Sequence, residues 1–341
     1  GDLAGRIAQS DGPACRCIRV HSVSPLPPRP PVSGKAAQVA ADLFANVTRA
    51  LRGKPDQTRL AIAALLAGGH LLIEDVPGVG KTLLAKALAR SVGGTYRRVQ
   101  GTPDLLPADL TGVTMYRREA EAWVFQPGPL FANVVLVDEI NRATPRTQAA
   151  TLEAMEERHV TVDGRTHSLP DPFLLIATQN PFEHAGTFPL VEGQRDRFSL
   201  VLELGLPGRE SERELLTGQG GADVLARLQP VTDPASLAAA IAEVHNVPVH
   251  ELITEYVLDI AAATRSHAGI SLGASPRASL SLQRVAQAHA TIVGRRFVAP
   301  DDVKRVAPAV LAHRVIMSSG DLGAATAAIE EILAEVAIPR N

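Results

Sequence analysis

Residues Leu71 to Leu83 read L-L-I-E-D-V-P-G-V-G-K-T-L, and this stretch is the strongest indication of the fold of the 341-residue chain. A short apolar run, a turn rich in proline and glycine, and Lys-Thr opening an amphipathic segment predict a strand, a phosphate-binding loop (P-loop) and a helix. In such a loop, backbone N–H groups, a lysine and a threonine hydroxyl bind phosphates and Mg²⁺. The candidate binding residues are Pro77, Gly78, Val79, Gly80, Lys81, Thr82 and Leu83.

Two details of this stretch bear on phosphate binding. The pattern G-x-x-x-x-G-K-[ST] expects glycine where Asp75 stands, although Asp tolerates the left-handed conformation better than most residues. Lys81 would lie in the first helical turn, where the helix dipole disfavours a cation unless an anion lies between them. The alternative is a glycine-rich turn that binds no ligand.

Two further apolar runs, Val134 to Asn141 and Phe173 to Asn180, end in polar residues. Runs without alternation are typical of parallel strands that are buried on both faces. Because ligands of open α/β sheets bind at the carboxyl ends of the strands, we expect these ends to meet the P-loop. Asp138 is the candidate Mg²⁺ ligand, together with the Thr82 hydroxyl. Glu139 is the candidate base that activates water.

Polar residues near these segments complete the candidate site. Asn180 could hydrogen-bond the attacking water and the outer phosphate, or it could be an ordinary loop amide. In G-Q-R-D-R-F, Arg197 and, as second choice, Arg195 are candidate arginine fingers that neutralise transition-state charge. The alternative for Arg197 is a salt bridge to Asp196 or Glu192. Arg277 follows a predicted Ser275 N-cap and Pro276, again at the wrong end of a helix dipole, which an anion from bound nucleotide would correct.

The remaining pattern divides the chain into three parts. Residues 1–34 are predicted to be a disordered Pro-rich tail that contains the only cysteines, Cys15 and Cys17. Residues 35–206 should form the P-loop core, with strands also at Thr95 to Val99 and Ser199 to Leu204 and two inserted hairpins. Within it, Thr144 and Pro145 are the predicted N-cap and first-turn proline of a helix that runs to about Arg158. A Pro-Gly break then leads to residues 207–341, for which helices are predicted at about Asp233 to His245, His250 to Ser266, Pro276 to Val293, Pro300 to His313 and Leu322 to Val336.

Composition and charge limit the function classes. The hydrophobic share of 45% and the charged share of 21% are those of a soluble globular protein. A net charge of −2 argues against nucleic-acid binding by bulk electrostatics. No apolar run reaches the roughly 18 residues of a membrane helix, and the scarcity of cysteine predicts a reducing cytoplasm.

The motifs together resemble the MoxR family of AAA+ ATPases. The matching residues, in family order across about residues 36–317, are E-D-V-P-G-V-G-K-T, T-P-D-L-L-P-A-D-L-T-G, V-D-E-I-N-R-A-T-P-R-T-Q-A-A-T-L-E-A-M-E-E, A-T-Q-N-P, E-G-Q-R-D-R-F, G-A-S-P-R-A and D-D-V-K-R-V-A-P-A-V-L-A-H-R. The resemblance implies an α/β fold. Its P-loop AAA+ core would hold a parallel five-stranded sheet between helices, with inserted β-hairpins, and an all-α lid domain would follow.

The resemblance also implies a function, namely ATP hydrolysis with Mg²⁺ in a hexameric ring that remodels a protein client. The client could involve a von Willebrand factor A domain. Asn180 would be the sensor-one residue, Arg197 the finger given to the neighbouring subunit, Arg277 the sensor-two residue of the lid, and the hairpins would lie near the pore. The alternatives are an AAA+ motor that acts on DNA and a nucleotide-dependent scaffold with little turnover. A GTPase is disfavoured because the chain has no N-K-x-D motif.

Overall fold

Five parallel strands form the central sheet of the computed structural model, which describes residues 34–181, 186–217, 221–318 and 322–339. In chain order, the strands of the described residues are β1 (Leu71–Glu74), β2 (Tyr96–Gln100), β3 (Gly112–Arg117), β4 (Ala122–Pro127), β5 (Val134–Asp138), β6 (His159–Val162), β7 (Arg165–Ser168), β8 (Leu174–Gln179), β9 (Leu200–Leu202), β10 (Ile270–Leu272) and β11 (Ile316–Met317). The order in the central sheet is β2, β5, β8, β1 and β9, and every neighbouring pair is parallel.

Strands β1, β5 and β8 are buried along their whole length, which confirms the interpretation of their continuous apolar runs. Their side chains alternate between two hydrophobic cores, one on each face of the sheet. Leu71 and Ile73 point into a core shared with the helices on one face. Leu72, between them, joins the core on the other face. The three strands end at one edge, where their polar terminal residues come together.

The helices of the described residues cover the sheet and build the second half of the chain. They are α1 (Lys35–Ala50), α2 (Pro55–Leu66), α3 (Lys81–Val92), α4 (Pro107–Thr111), α5 (Pro145–Glu157), α6 (Glu192–Arg195), α7 (Arg209–Leu216), α8 (Ala222–Arg227), α9 (Pro234–His245), α10 (Glu251–Ser266), α11 (Pro276–Ile292), α12 (Pro300–Leu311) and α13 (Leu322–Glu335). The predicted N-caps Thr144 and Ser275 both accept a backbone N–H three residues on, so α5 and α11 begin where the sequence indicated. The short helices α4, α6, α7 and α8 were not predicted.

The two predicted hairpins are present as β3 with β4 and β6 with β7, both antiparallel. Asp163 and Gly164 have φ of 51° and 74°, so both residues of the second turn adopt the left-handed conformation that a tight hairpin turn requires. The two hairpins are in contact. The Phe125 ring of β4 stacks on the His167 ring of β7, and the ring centroids are 3.9 Å apart.

The helical second half also departs from the prediction by containing strands. It contains a two-stranded antiparallel sheet, β10 with β11, in addition to its helices. These strands have three and two residues, which is too short to give an alternating pattern of apolar and polar residues. The sequence around them has helical periodicity, so they were not predicted. Helix α11 packs against α1 and α2, so the P-loop core and the helical half share one hydrophobic core. The boundary at residues 206 and 207 stays a prediction.

Residues 1–33 lie outside the described residues, and with them the predictions about the tail, Cys15 and Cys17. In the part of the chain that is described, no helix has the length and apolarity needed to cross a membrane.

Candidate active site

The P-loop connects β1 to α3 as predicted, and two glycines set its path. Gly78 and Gly80 have φ of 86° and 104°, a conformation that side chains disfavour. A Cβ atom on Gly80 would also lie 3.2 Å from the Leu51 side chain. Helix α3 begins at Lys81, so the amides of Lys81, Thr82 and Leu83 precede its first intrahelical bond, which runs from Leu84 to Gly80. Free amides at a helix N-terminus form an anion-binding site.

Lys81 is held by two carbonyl groups at the edge of the sheet. Its Nζ donates to the Asp75 carbonyl at 2.5 Å and to the Gln179 carbonyl at 3.3 Å. Burial lowers the pKa of the Lys81 ammonium. Three nearby carboxylates, those of Asp75, Asp138 and Glu139, oppose that shift in the pKa. The ammonium therefore lies in an acidic setting beside the P-loop, where phosphate oxygens would offer it further acceptors.

Asp138 is the buried centre of the polar edge. The Thr82 hydroxyl lies 3.3 Å from Asp138 Oδ2, and the Thr178 hydroxyl donates to Oδ1 at 3.0 Å. Arg98 Nε forms an ion pair with Oδ2 at 2.7 Å. The sequence predicted that Thr82 and Asp138 would converge, and the structure brings them together. Sequence reasoning did not identify Arg98.

The Glu139 carboxylate has different partners from that of Asp138. The backbone of Glu139 has φ of 54°, in the left-handed region that is rare for a residue with a side chain and that is often found at functional sites. Gln100 Nε2 donates to Glu139 Oε2 at 2.9 Å, and Arg142 Nε lies 3.2 Å from the same oxygen. Gln100 was also missed. Its place opposite Asp138 in the parallel register of β2 and β5 follows only once the strand order is known.

Asn180 follows β8 directly and is half-buried at the same edge as Lys81 and Asp138. The P-loop, Asp138 with Glu139, and the end of β8 are therefore adjacent, as the sequence predicted. A hydroxyl beside a carboxylate suits a hard cation such as Mg²⁺, which takes few protein ligands and completes its shell with water and phosphate oxygens. Thr82 and Asp138 fit that role. No cluster of three or more acidic, histidine or cysteine side chains suited to a metal occurs among the described residues.

Arg195 forms a nearly buried ion pair with Glu74, the last residue of β1. Its Nη1 lies 3.0 Å from Glu74 Oε1, and its Nη2 donates to Oε2 at 3.2 Å. The two side chains are only 11% and 10% exposed. Gln179 also donates to Glu74 Oε1. Arg195 is therefore engaged next to the P-loop of the same chain, and its side chain is nearly buried.

We expect Arg195→Met to destabilise the fold by about 3 to 5 kcal/mol, because it leaves the Glu74 carboxylate buried without its cation. Urea unfolding of the variant and of the parent chain measures the difference. Changing Glu74→Gln in the same chain removes the stranded charge and should recover most of the loss. A loss below about 1 kcal/mol in the single variant would show that the pair behaves like an exposed one.

Arg197 and Arg277 bind the same carboxylate, that of Glu156 on α5. Arg197 Nε lies 2.8 Å from Glu156 Oε2, and Arg277 Nη2 donates to Oε1. The hydrogen bond from Arg197, with the charge of Arg277, lowers the pKa of Glu156. The alternative partners expected for Arg197, Asp196 and Glu192, are not its partners in the structure.

Arg277 has a protein anion beside it at the start of α11, and its role as the sensor-two residue stays a prediction. The sequence required an anion near the N-terminus of α11, and bound nucleotide was expected to supply it. In the structure Glu156 is an anion at that position, and its carboxylate binds both Arg277 and Arg197. Glu156 was not identified from the sequence, because only packing of α5 against the start of α11 brings it there.

Asp196, between the two arginines of G-Q-R-D-R-F, joins the core to the helical half. Its Oδ1 forms an ion pair with Arg314 Nε at 2.9 Å, and the Ser275 hydroxyl donates to Oδ2 at 3.3 Å. Burial lowers the pKa of Arg314 to about 10, although Asp196 opposes that shift. The segment therefore contacts β1, α5 and the helical half through three successive side chains.

Comparisons with known proteins agree with this architecture. The model of the ATPase family associated with various cellular activities (AAA) matches residues 70–200, and the AAA lid domain model matches residues 262–335. A crystal structure of a candidate ATPase from Cytophaga hutchinsonii superposes with a TM-score of 0.82 and 34% identity. The superposition covers 90% of this chain and 97% of that one.

Sequence relatives are similar over nearly the whole chain. A protein named Chaperone MoxR1 from Mycobacterium tuberculosis is 40% identical over 338 residues, which cover 94% of this chain and 89% of the relative. An uncharacterised protein named YeaC from Bacillus subtilis is 44% identical over 312 residues, 91% of this chain and 95% of the relative. With its P-loop, its sheet order and its helical lid, the chain belongs to the MoxR family of AAA+ ATPases.

Proposed function

We propose that the site hydrolyses ATP with Mg²⁺ as cofactor. The observation that carries the proposal is the approach of the Thr82 hydroxyl to the Asp138 carboxylate, 3.3 Å apart, beside Lys81 at the carboxyl ends of the strands. Thr82 and Asp138 would hold Mg²⁺, which neutralises charge on phosphate oxygens when it is bound. Lys81 and the first amides of α3 would bind the phosphates.

Water activation is assigned to Glu139, with Asn180 as its partner. The Glu139 carboxylate would accept a proton from the attacking water, and Gln100 and Arg142 would hold that carboxylate in place. Asn180, from the neighbouring strand end, would hydrogen-bond the same water and the outer phosphate. The two acids of Asp138-Glu139 thus have separate tasks, one toward the cation and one toward water.

Arg197 is assigned as the finger given to the neighbouring subunit of a homo-oligomeric ring, which we take to be a hexamer, and Arg277 as the sensor-two residue of the lid beside it. Their side chains are 33% and 45% exposed, and both are held by Glu156. Two guanidinium groups on one surface carboxylate leave a net positive charge, which suits a phosphate group approaching from outside. Arginine supplied in this way stabilises the charge of phosphoryl transfer.

We take the partner that the ring acts on to be another protein, and a protein with a von Willebrand factor A domain is the candidate. The β3–β4 hairpin offers a surface for it, because Trp123 and Tyr116 are 69% and 51% exposed. Their rings form an edge-to-face pair with centroids 5.6 Å apart. Exposed apolar groups clustered on a projecting hairpin mark an interaction surface. Remodelling of this partner would use the energy of ATP hydrolysis.

The test is phosphate release by the full chain at steady state. We expect turnover that requires Mg²⁺, is lost on addition of EDTA, and is unchanged by single-stranded DNA, because the net charge is −2. Glu139→Gln provides the control for contaminating ATPase activity. Stimulation by single-stranded DNA would favour the motor that acts on DNA. Tight ATP binding without turnover in the assembled protein would favour the scaffold.

A further inference from the structure

Asp75 stands where most P-loops carry glycine, and its side chain has two backbone partners. Its Oδ1 accepts the N–H of Val76 at 2.7 Å, which stabilises the turn into the P-loop. Its Oδ2 accepts the N–H of Gly205 at 2.6 Å, from a residue 130 positions further along the chain. Both bonds have an ionised acceptor and are therefore stronger than bonds between neutral groups.

Gly205 belongs to the linker of residues 203–208, which runs from β9 to α7 and so connects the sheet to the helical half. Gly205 has φ of 66°, which turns the chain out of the strand and which glycine adopts without strain. The next residue is held as well, because the buried Lys54 donates from Nζ to the Leu206 carbonyl at 2.6 Å. Two charged side chains from the core thus bind the backbone of two successive residues of the linker.

The backbone of Asp75 is tied to the phosphate-binding machinery. Its carbonyl is the nearer of the two that hold the Lys81 ammonium, and its N–H donates to Gln179 at 3.2 Å. One residue therefore contacts the P-loop lysine through its main chain and the linker through its side chain. Glycine at this position would form the same turn but could not reach Gly205.

We propose that Asp75 is a positioning residue that couples the P-loop to the linker of the helical lid, so that nucleotide phosphates on the P-loop set the linker conformation. This inference rests on the proposed nucleotide site. The coupling is carried by the carboxylate alone, because the turn itself does not need it. Loss of the carboxylate should therefore separate two properties, nucleotide affinity and the response of the linker.

The experiment compares amide hydrogen exchange in segment 203–208 of the full chain, with and without Mg²⁺ and ADP, alongside ADP affinity. Without nucleotide, Asp75→Gly should speed exchange at Gly205 by roughly tenfold, because its hydrogen bond is gone. Asp75→Asn keeps an acceptor without the charge and should fall in between. Lys54→Met, the matched control, should leave the Gly205 amide protected because it removes only the bond to Leu206.

With ADP, exchange at Gly205 should slow in the parent chain but not in Asp75→Gly, although ADP affinity stays within a fewfold. The proposal is overturned if Gly205 exchange is the same in Asp75→Gly and in the parent, or if the response to ADP survives in the variant. It is also overturned if affinity falls a hundredfold, roughly 2.7 kcal/mol, because the carboxylate would then serve binding itself. A parent chain that binds no ADP would instead refute the nucleotide site, and the exchange without nucleotide would still report the contact of Asp75 with Gly205.

Discussion

Arg197→Ala should bind ATP and yet hydrolyse it about 10³ to 10⁵ times more slowly than the parent chain, a loss of roughly 4 to 7 kcal/mol of barrier stabilisation. We expect the fold to stay intact in this variant, because the Arg197 side chain is one-third exposed and, among the described residues, bonds only Glu156 and the Gly193 carbonyl. Arg213→Ala is the matched control. It removes an exposed arginine that is also paired with a glutamate, Glu210, and it should hydrolyse ATP at the parent rate.

Mixing this variant with Glu139→Gln tests whether the arginine acts between subunits. Glu139→Gln lacks the base but can offer its Arg197, so activity should return wherever it adjoins an Arg197→Ala subunit with an intact Glu139. Recovery measured as phosphate release should peak at intermediate mixing ratios and require concentrations that permit assembly. If the mixtures stay inactive at every ratio, although both variants bind ATP and assemble together, the assignment of Arg197 to the neighbour is wrong.

Lys81→Ala should abolish nucleotide binding, whereas Glu139→Gln should bind ATP and lose about 10² to 10⁴ in rate, the contribution typical of a general base. The difference arises because Lys81 lies against the P-loop while the Glu139 carboxylate is held by Gln100 and Arg142. Calorimetry for binding and phosphate release for turnover separate the two effects.

Glu153→Gln, on the exposed face of α5, is the control for loss of a nearby negative charge and should turn over normally. Turnover at the parent rate in Glu139→Gln would remove Glu139 from its role as base. Retained ATP affinity in Lys81→Ala would place the phosphates elsewhere.

The P-loop and the three polar strand ends could be predicted because each depends on a few consecutive residues. Gly78, Gly80 and Lys81 specify a turn and a helix start by local backbone preferences alone. Parallel strands then bring their carboxyl ends together whatever lies between them. The same reasoning located the N-caps Thr144 and Ser275, where one side chain bonds a backbone group three residues away.

The residues that were missed depend on packing between distant elements. Gln100 meets Glu139 only because β2 is the neighbour of β5 in the sheet. Glu156 meets Arg197 and Arg277 only because α5, the G-Q-R-D-R-F segment and the start of α11 converge. The N-cap signal of Thr144 and Pro145 identifies α5 as a helix but carries no information on what faces its last turn. Asp75 was recognised as unusual, yet its partner Gly205 could not be deduced from a spacing of 130 residues.

Arg195, Asp196 and Arg197 are adjacent in the chain, yet their side chains are fixed to β1, to Arg314 of the helical half and to Glu156 of α5. Replacing the side chain at any one of these positions removes one ion pair and leaves the other two residues in place. Adding or deleting a single residue would shift every attachment beyond the insertion by the length of a peptide unit, about 3.8 Å between Cα atoms, which is more than a hydrogen bond can absorb. The length of this segment is therefore constrained more tightly than its composition, and insertions should be tolerated in the β3–β4 hairpin tip long before they are tolerated here.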